Sequence, residues 1–338
     1  PVKLTDEQRA LLQELKNSLD SNSKHSPRGT SCFDGVKRFF DELNPSVGRH
    51  SRLNARGVVG SSRSITNVAG KYMIRVAVAG VAGRMGKTLV QAIMESESLT
   101  FTAGFEHPAH PQIGDDVGTV CGMGLLNVAL SADPSQHTSD FDVVIDFTVP
   151  GATLALADVC ASQGKRMVVG TTGFDESQQQ ALRGFAQNTA IFVSPNMSVG
   201  VNLSMRLIEL AAQALGDDVD VEVIEAHHKH KIDAPSGTAM RIGEVLAKAL
   251  NRNLAEDAVY GRQGITGARD SKTIGFSTIR GGDIVGEHTV LFAGDGERLE
   301  ITHRAHSRSN FAQGALRAVG FVAEAAPGWY DMQDLLGI

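Results

Sequence analysis

The stretch VAVAGVAGRMGKTLVQAI, residues 76–93, constrains the fold of this chain more than any other. An apolar run with the character of a buried strand turns through Gly80, Gly83 and Gly86 into a helix-length segment. Each glycine has a physical use there. Gly80 allows a tight turn, Gly83 lets backbone approach a pyrophosphate, and Gly86 lets helix and strand pack closely. The free N–H groups of the helix start then face the phosphates. The G-x-x-G-x-x-G spacing is one residue longer at the front than the commonest dinucleotide fingerprint, and a purely structural tight turn would use the same residues. A second feature separates the two readings. Glu106 closes the next apolar run, TFTAGFE, 20 residues beyond Gly86. An acid at that place accepts hydrogen bonds from an adenosine ribose. Together they point to a nicotinamide dinucleotide, NADH or NADPH, with a flavin as the lesser choice.

The rest of the chain agrees with that start. Strands are expected at Ile74–Ala79, Phe101–Phe105, Asp142–Phe147, Met167–Gly170 and Ala190–Val193, with helices at 84–95, 150–162, 175–187 and 199–215. Strand and helix in alternation build a Rossmann-like parallel sheet covered on both faces, an α/β nucleotide domain. The loops DFTVP (146–150), GTTGF (170–174) and SPNMSVG (194–200) fall at its strand ends, where such sheets bind ligands, and offer Thr148, Thr171, Thr172 and Asn196. Each alone is an ordinary loop residue, and their joint position carries the point. After residue 219 the pattern changes to VDVEVIEAHH, KTIGFSTIR, DIVGEHTVLFA and ERLEITHRA, with a long helix near 237–250. These segments suggest a mixed or antiparallel sheet in a second, α+β domain. A final apolar helix is expected at 310–324.

Bulk properties bound the function. The chain has 338 residues, 42% of them apolar, and a net charge of −6, which gives no reason to expect nucleic acid. Cys32, Cys121 and Cys160 are scattered and odd in number, as in a reducing cytoplasm, and show no structural-zinc spacing. No apolar run approaches the roughly 18 residues of a membrane helix, and no signal peptide is visible. Residues 1–72 differ from the rest: 12 Lys/Arg against 7 Asp/Glu give +5, and the remaining 20 against 31 give −11. Residues 4–20 are expected as an amphipathic helix, with Thr5 and Gln8 at capping-box spacing, and 21–72 as largely irregular. Met73 reads as a natural start, making 1–72 a fusion, an upstream extension or an appended segment. Its Arg and Ser content suits a transit peptide, which its acidic residues and Leu-rich helix oppose.

The stretch EAHHKHKIDAPSGTA, residues 225–239, packs three histidines and two lysines into five positions. A metal site, a solvated patch and the acid end of an active site all fit such a cluster. Read as a strand, it sends His227 and Lys229 to one face and His228 and His230 to the other, so no three histidines converge on a metal. Asp233-Ala-Pro-Ser236-Gly237-Thr238 is a loop with helix-start chemistry, whose free N–H groups suit an anion. Beside Lys231 and the imidazoles it resembles a pocket for a small polycarboxylate, with groups able to protonate a product near neutral pH. A hydride donor in one domain and an anion pocket in the other describe a reductase.

VAGVAGRMG, DFTVP, VVGTTGF, NMSVGVN, EAHHKHKIDAPSGTA, TIGFSTIRGGDIVGEHTVLFA and ERLEITHRAHSR occur in the order found in the 4-hydroxy-tetrahydrodipicolinate (dihydrodipicolinate) reductases of lysine and diaminopimelate synthesis. Residues 73–338 resemble that family, and 1–72 have no counterpart in it. The resemblance implies a phosphate loop of Gly80, Val81, Ala82, Gly83, Arg84 and Met85, with Glu106 on the ribose. Gly170, Thr171, Thr172, Ser194, Pro195, Asn196 and Met197 would line the nicotinamide side. His227 and Lys231 would be the catalytic proton carriers. His228, Gly237 and Thr238, with the turn residue Ser236, would hold the substrate carboxylates. It further implies hydride addition at C4, protonation at C3 and a homotetramer built on the second domain. The nucleotide domain would span 73–198 and 308–338, and the substrate and tetramerisation domain 199–307. His107 departs from the family pattern, since members favouring the phosphorylated cofactor often carry arginine there. Glu106 would repel a 2′-phosphate and Arg84 could still reach it, so NADH is expected to serve at least as well as NADPH. The competing readings are a nucleotide-binding sensor without turnover and another two-domain reductase, such as an aspartate or semialdehyde dehydrogenase.

Overall fold

The computed structural model describes residues 73–338. The helix expected at 4–20, the irregular stretch 21–72 and Cys32 lie outside the described residues. The chain runs β1 (Ile74–Ala79), α1 (Arg84–Met94), β2 (Leu99–Phe105), α2 (Val117–Cys121), β3 (Leu130–Ser131), β4 (Val143–Asp146), α3 (Pro150–Ser162), β5 (Arg166–Val169), α4 (Glu176–Phe185) and β6 (Ala190–Val193). It continues with α5 (Val199–Leu215), β7 (Asp220–His227), α6 (Gly237–Ala249), α7 (Leu254–Asp257), β8 (Ala258–Tyr260), β9 (Ile274–Arg280), β10 (Gly286–Ala293), β11 (Arg298–Ala305), α8 (Ser309–Glu324), β12 (Gly328–Tyr330) and α9 (Met332–Leu336).

Seven strands form a parallel sheet in the order β12-β6-β5-β4-β1-β2-β3. Successive residues of one strand serve opposite layers. Val76 and Val78 pack with Leu89, Val90 and Ile93 of α1 and with Ala315 and Val319 of α8. Ala77 and Ala79 pack with Leu156, Ala157 and Cys160 of α3 and Leu182 of α4. That alternation explains why these strands read as continuous apolar runs. The strand order reverses at β1, which opens a crevice beyond the carboxyl ends of β1 and β4.

The second sheet has the order β11-β10-β7-β9-β8 and is mixed, with β7, β8 and β9 parallel and β7, β10 and β11 antiparallel. Its register sets Val221, Val223, Ile274, Phe276, Val290 and Phe292 on one face, packed with Ile208 and Ala212 of α5 and Ile242 and Leu246 of α6. The helix α6 comes close because Gly243 has no side chain: a Cβ there would lie 2.5 Å from Phe276 Cζ.

One expectation needs correction. The run 225–231 is a strand only as far as His227. Beyond it the backbone turns, with the Lys231 N–H donating to His228 O at 3.1 Å and the Lys229 N–H reaching Gly282 O at 3.3 Å. The two-faced alternation expected through His230 therefore stops at His227, because the Lys231 N–H closes a turn onto His228 O.

Candidate active site

The glycine turn is built as its residue types demand. Gly80 adopts φ +69°, and a Cβ on it would meet Thr148 Cγ2 at 2.9 Å. A Cβ on Gly86 would lie 2.3 Å from Gly80 O, so strand exit and helix start touch through hydrogen alone. No side chain caps α1, which leaves its first N–H groups facing the crevice. Glu106 Oε2 accepts from the Ala82 N–H at 3.2 Å and Oε1 from the His107 N–H at 3.1 Å. The carboxylate thus closes the turn from the side. A cleft of about 920 Å³ runs along Gly80, Ala82, Gly83, Glu106, His107 and Thr148 to the apolar flank Val149, Ala152 and Leu156 of α3. A neighbouring cavity is lined by Gly83, Arg84, Met85, Gly170, Thr172, Pro195, Asn196 and Met197. A bare helix start, a turn that tolerates no Cβ and a flat apolar wall fit the phosphates and adenine of a dinucleotide.

Two expected residues have another position. Val81 is fully buried against the core, and Thr171 is 4% exposed. The Thr171 hydroxyl oxygen accepts from the Thr148 N–H at 3.0 Å and lies 3.0 Å from Thr153 Oγ1, so it ties the loops after β4 and β5 together. Asp146, also buried, accepts from the Thr148 N–H and hydroxyl at 2.9 and 2.6 Å. Burial pushes its carboxyl up.

The second cavity, about 580 Å³, joins the two sheets. Thr172, Ser194, Pro195 and Asn196 form part of its wall, and His227, Lys231, Ser236, Gly237 and Thr238 another. Asn196 Nδ2 donates to Thr238 Oγ1 at 3.3 Å across the junction. Lys231 Nζ donates to both oxygens of Asp233, at 2.8 and 2.9 Å. Ser236 caps α6: its Oγ accepts from the Ala239 N–H at 3.1 Å, so its own proton is free to go to His288 Nε2 at 3.0 Å. His228 is half-buried outside this cavity, with its ring 6.3 Å from that of His230 and its Nδ1 without a partner. Among the described residues no group of three or more His, Cys, Asp or Glu is placed to hold a metal ion.

The register explains why these groups meet. On the face that carries the core, the strand ends nearest the first sheet are polar: Glu225 and His227 on β7, Thr278 and Arg280 on β9, His288 on β10 and His303 on β11. Glu225, Arg280 and His288 escaped the sequence reading, although Glu225 lies two residues before His227 and so shares its face. Burial pushes His227 below its usual 6.5, against the pull of Glu225, so its imidazole is neutral at pH 7. Glu225 is held at about 2, because the Arg280 guanidinium and the His227 N–H outweigh its burial.

His288 is pushed from 6.5 to about 4, chiefly by burial. A histidine kept neutral in the fold gives stability that is complete above the unfolded value of 6.5 and is lost as pH falls toward 4. Denaturant titration is expected to show about 2 kcal/mol lost between pH 7 and pH 5 from this group. His227 and His303 act in the same direction. The variant His288→Gln is expected to lose most of that slope, and an unchanged slope would contradict the assignment.

Known proteins share this arrangement over nearly its whole described length. The family description "Dihydrodipicolinate reductase, N-terminus" matches residues 74–197, and "Dihydrodipicolinate reductase, C-terminus" matches 200–336. A protein of Methylococcus capsulatus named 4-hydroxy-tetrahydrodipicolinate reductase is 52% identical over 266 residues, which cover 79% of this chain and 99% of that one. Among solved structures, the dipicolinate-bound dihydrodipicolinate reductase of Paenisporosarcina sp. TG-14 superposes with a TM-score of 0.63 at 27% identity, covering 78% of this chain and 98% of that one. Two matched halves and a close relative covered almost end to end leave one conclusion: this chain belongs to the dihydrodipicolinate reductase family.

Proposed function

We propose that the chain reduces 4-hydroxy-tetrahydrodipicolinate, or the dihydrodipicolinate derived from it, to tetrahydrodipicolinate with NADH or NADPH, in lysine and diaminopimelate biosynthesis. One observation carries the reading: a single cavity has Thr172 and Ser194–Asn196 on one wall and His227, Lys231 and Ser236–Thr238 on another. The relative named for this reductase and the solved relative holding dipicolinate support the substrate. In this reading Gly80 and Ala82–Met85 hold the pyrophosphate, Glu106 the adenosine ribose, and Gly170 and Thr172 with Ser194–Met197 the nicotinamide side. A reduced nicotinamide held by these residues would supply the hydride for C4. The Lys231 ammonium and the N–H groups at the start of α6 neutralise the substrate's two carboxylates, which makes its ring a better acceptor. His227 and Lys231, on the same wall of that cavity, are the two groups placed to handle the proton that goes to C3. The nucleotide domain comprises 73–198 and 308–338, and the substrate domain 199–307. The homotetramer uses the outer face of the second sheet, where Ile279 is 51% exposed.

The test is oxidation of NADH and NADPH at 340 nm with dihydrodipicolinate generated in situ. Oxidation that requires the substrate supports the reading, and cofactor binding without oxidation overturns it. NADH is expected to give a kcat/KM at least equal to that with NADPH, since the acid Glu106 is followed by His107 and not by an arginine that would pair with a 2′-phosphate. A large NADPH preference would refute that part alone.

A further inference from the structure

One buried side chain behind the cavity ties its parts together. Glu225 is 1% exposed. Its Oε2 accepts from His227 Nδ1 at 2.5 Å and from Arg280 Nη1 at 2.8 Å. Its Oε1 accepts from Arg280 Nη2 at 2.8 Å, from the Ser236 N–H at 3.0 Å and from the Thr278 hydroxyl at 3.3 Å. A structural ion pair needs only the bidentate guanidinium. The other contacts go to the imidazole on the cavity wall and to the residue that starts α6. An ionised carboxylate has no proton to give, so His227 must carry a proton on Nδ1, and in the neutral ring the lone pair is then on Nε2.

We propose that Glu225 is a positioning residue for the reduction: it fixes the tautomer and ring orientation of His227 and ties that ring to the helix start that receives the substrate's carboxylates. The inference rests on the reading above, in which His227 works on the substrate. Gly286 completes the seat, since a Cβ there would come within 3.0 Å of His227 Nε2. The charged and titratable groups around the ring are Glu225 and Lys231 from its own segment, Arg280 from β9, and His288 from β10 with ring centroids 5.1 Å apart. Arg280 is committed to Glu225 and to Asp233 O at 2.6 Å, and Lys231 to Asp233. Glu225 is therefore the one group in this set that accepts a hydrogen bond from the imidazole.

The test is Glu225→Gln, an isosteric change that leaves one acceptor oxygen. Three donors converge on Oε1, so the amide oxygen is expected to remain there and the NH2 to face His227. That arrangement moves the ring proton to Nε2. With 15N-labelled histidine, and His227→Ala to identify the resonances, the wild type is expected to show protonated Nδ1 and bare Nε2, and Glu225→Gln the reverse. kcat is expected to fall roughly 100-fold with a smaller change in KM. The acid limb of the pH profile is expected to move to lower pH, because an anion that favours the imidazolium is gone. In a His227→Ala background the same change is expected to cost less than about threefold, since its target is absent.

Protonated Nε2 in the wild type overturns the proposal, whether or not the variant folds. An unchanged tautomer in a folded Glu225→Gln does so too, as does a full additional loss in the His227→Ala background, which would mark Glu225 as a plain structural residue. A wild type without turnover whose tautomer still flips in Glu225→Gln would overturn the proposed reaction and leave the tautomer lock standing.

Discussion

Replacing His227 by alanine is expected to lower kcat by roughly 10²–10⁴-fold, with cofactor affinity unchanged and the fold intact. The size follows from what is removed. Among the described residues, His227 is the only imidazole on the wall of the cavity that joins the two sheets. It is neutral at pH 7 and held by Glu225, so the variant loses a positioned acceptor and leaves a buried carboxylate short of one donor. That carboxylate keeps both guanidinium bonds, the Ser236 N–H and the Thr278 hydroxyl, which is why folding should survive. The cofactor cleft along Gly80, Glu106 and Val149 does not include His227, so cofactor titration should be unaffected. A kcat within threefold of the wild type would remove His227 from the reaction and leave Lys231 as its proton carrier. In the wild type, the acid limb of kcat/KM is expected below pH 6.5, because burial has lowered the imidazole's value.

Gly314→Ala is expected to destabilise the protein by about 3 kcal/mol, the upper end of overpacking costs. Gly314 lies in α8 where a Cβ would fall 1.7 Å from Met197 O and 2.9 Å from Met197 C. Both are backbone atoms and cannot swing aside. Alanine gains about 1 kcal/mol in helix propensity over glycine, too little to offset that overlap. The melting temperature is expected to fall by roughly 6–12 °C. The displaced carbonyl belongs to the segment 194–197, so the cofactor KM should rise as well. Gly320, exposed on the same helix with nothing within 4 Å of its would-be Cβ, is the internal control. Gly320→Ala should be neutral or slightly stabilising, and equal effects at the two positions would contradict the expected overlap at Gly314.

The parts of the molecule legible in the sequence are those governed by local rules. The strands Ile74–Ala79 and Ala190–Val193 and the helices 150–162 and 199–215 are found at their expected bounds, because each apolar run ends at a residue that stops it. Glycine at 80 and serine at 198 are such stops: the first takes a left-handed turn, the second caps a helix start. Elements that depend on distant partners were not legible. Gly328–Tyr330 is a strand because it pairs with Ala190–Phe192, and α2 exists because Asp116 accepts from the Gly118, Thr119, Leu126 and Val128 N–H groups. The site divides in the same way. Period-2 spacing links Glu225 to His227, whereas Arg280 and His288 reach them only through strand pairings 53 and 63 positions further along the chain, by number from His227 and Glu225.

The position of β7 at the centre of its sheet, with β10 on one side and β9 on the other, has a consequence for local opening. Backbone amides leave a central strand's ladder only when its neighbours part, so the segment bearing Glu225 and His227 opens with the whole domain. Lys231 and Asp233 lie in a turn beyond that ladder, joined to the sheet by the Arg280 bond to Asp233 O and not by strand pairing. The imidazole is therefore carried by the central ladder of this sheet and the ammonium by a turn outside it. In the reading proposed above, exchange of the Asp233 partner of Lys231 for a substrate carboxylate needs no break in the β7 ladder.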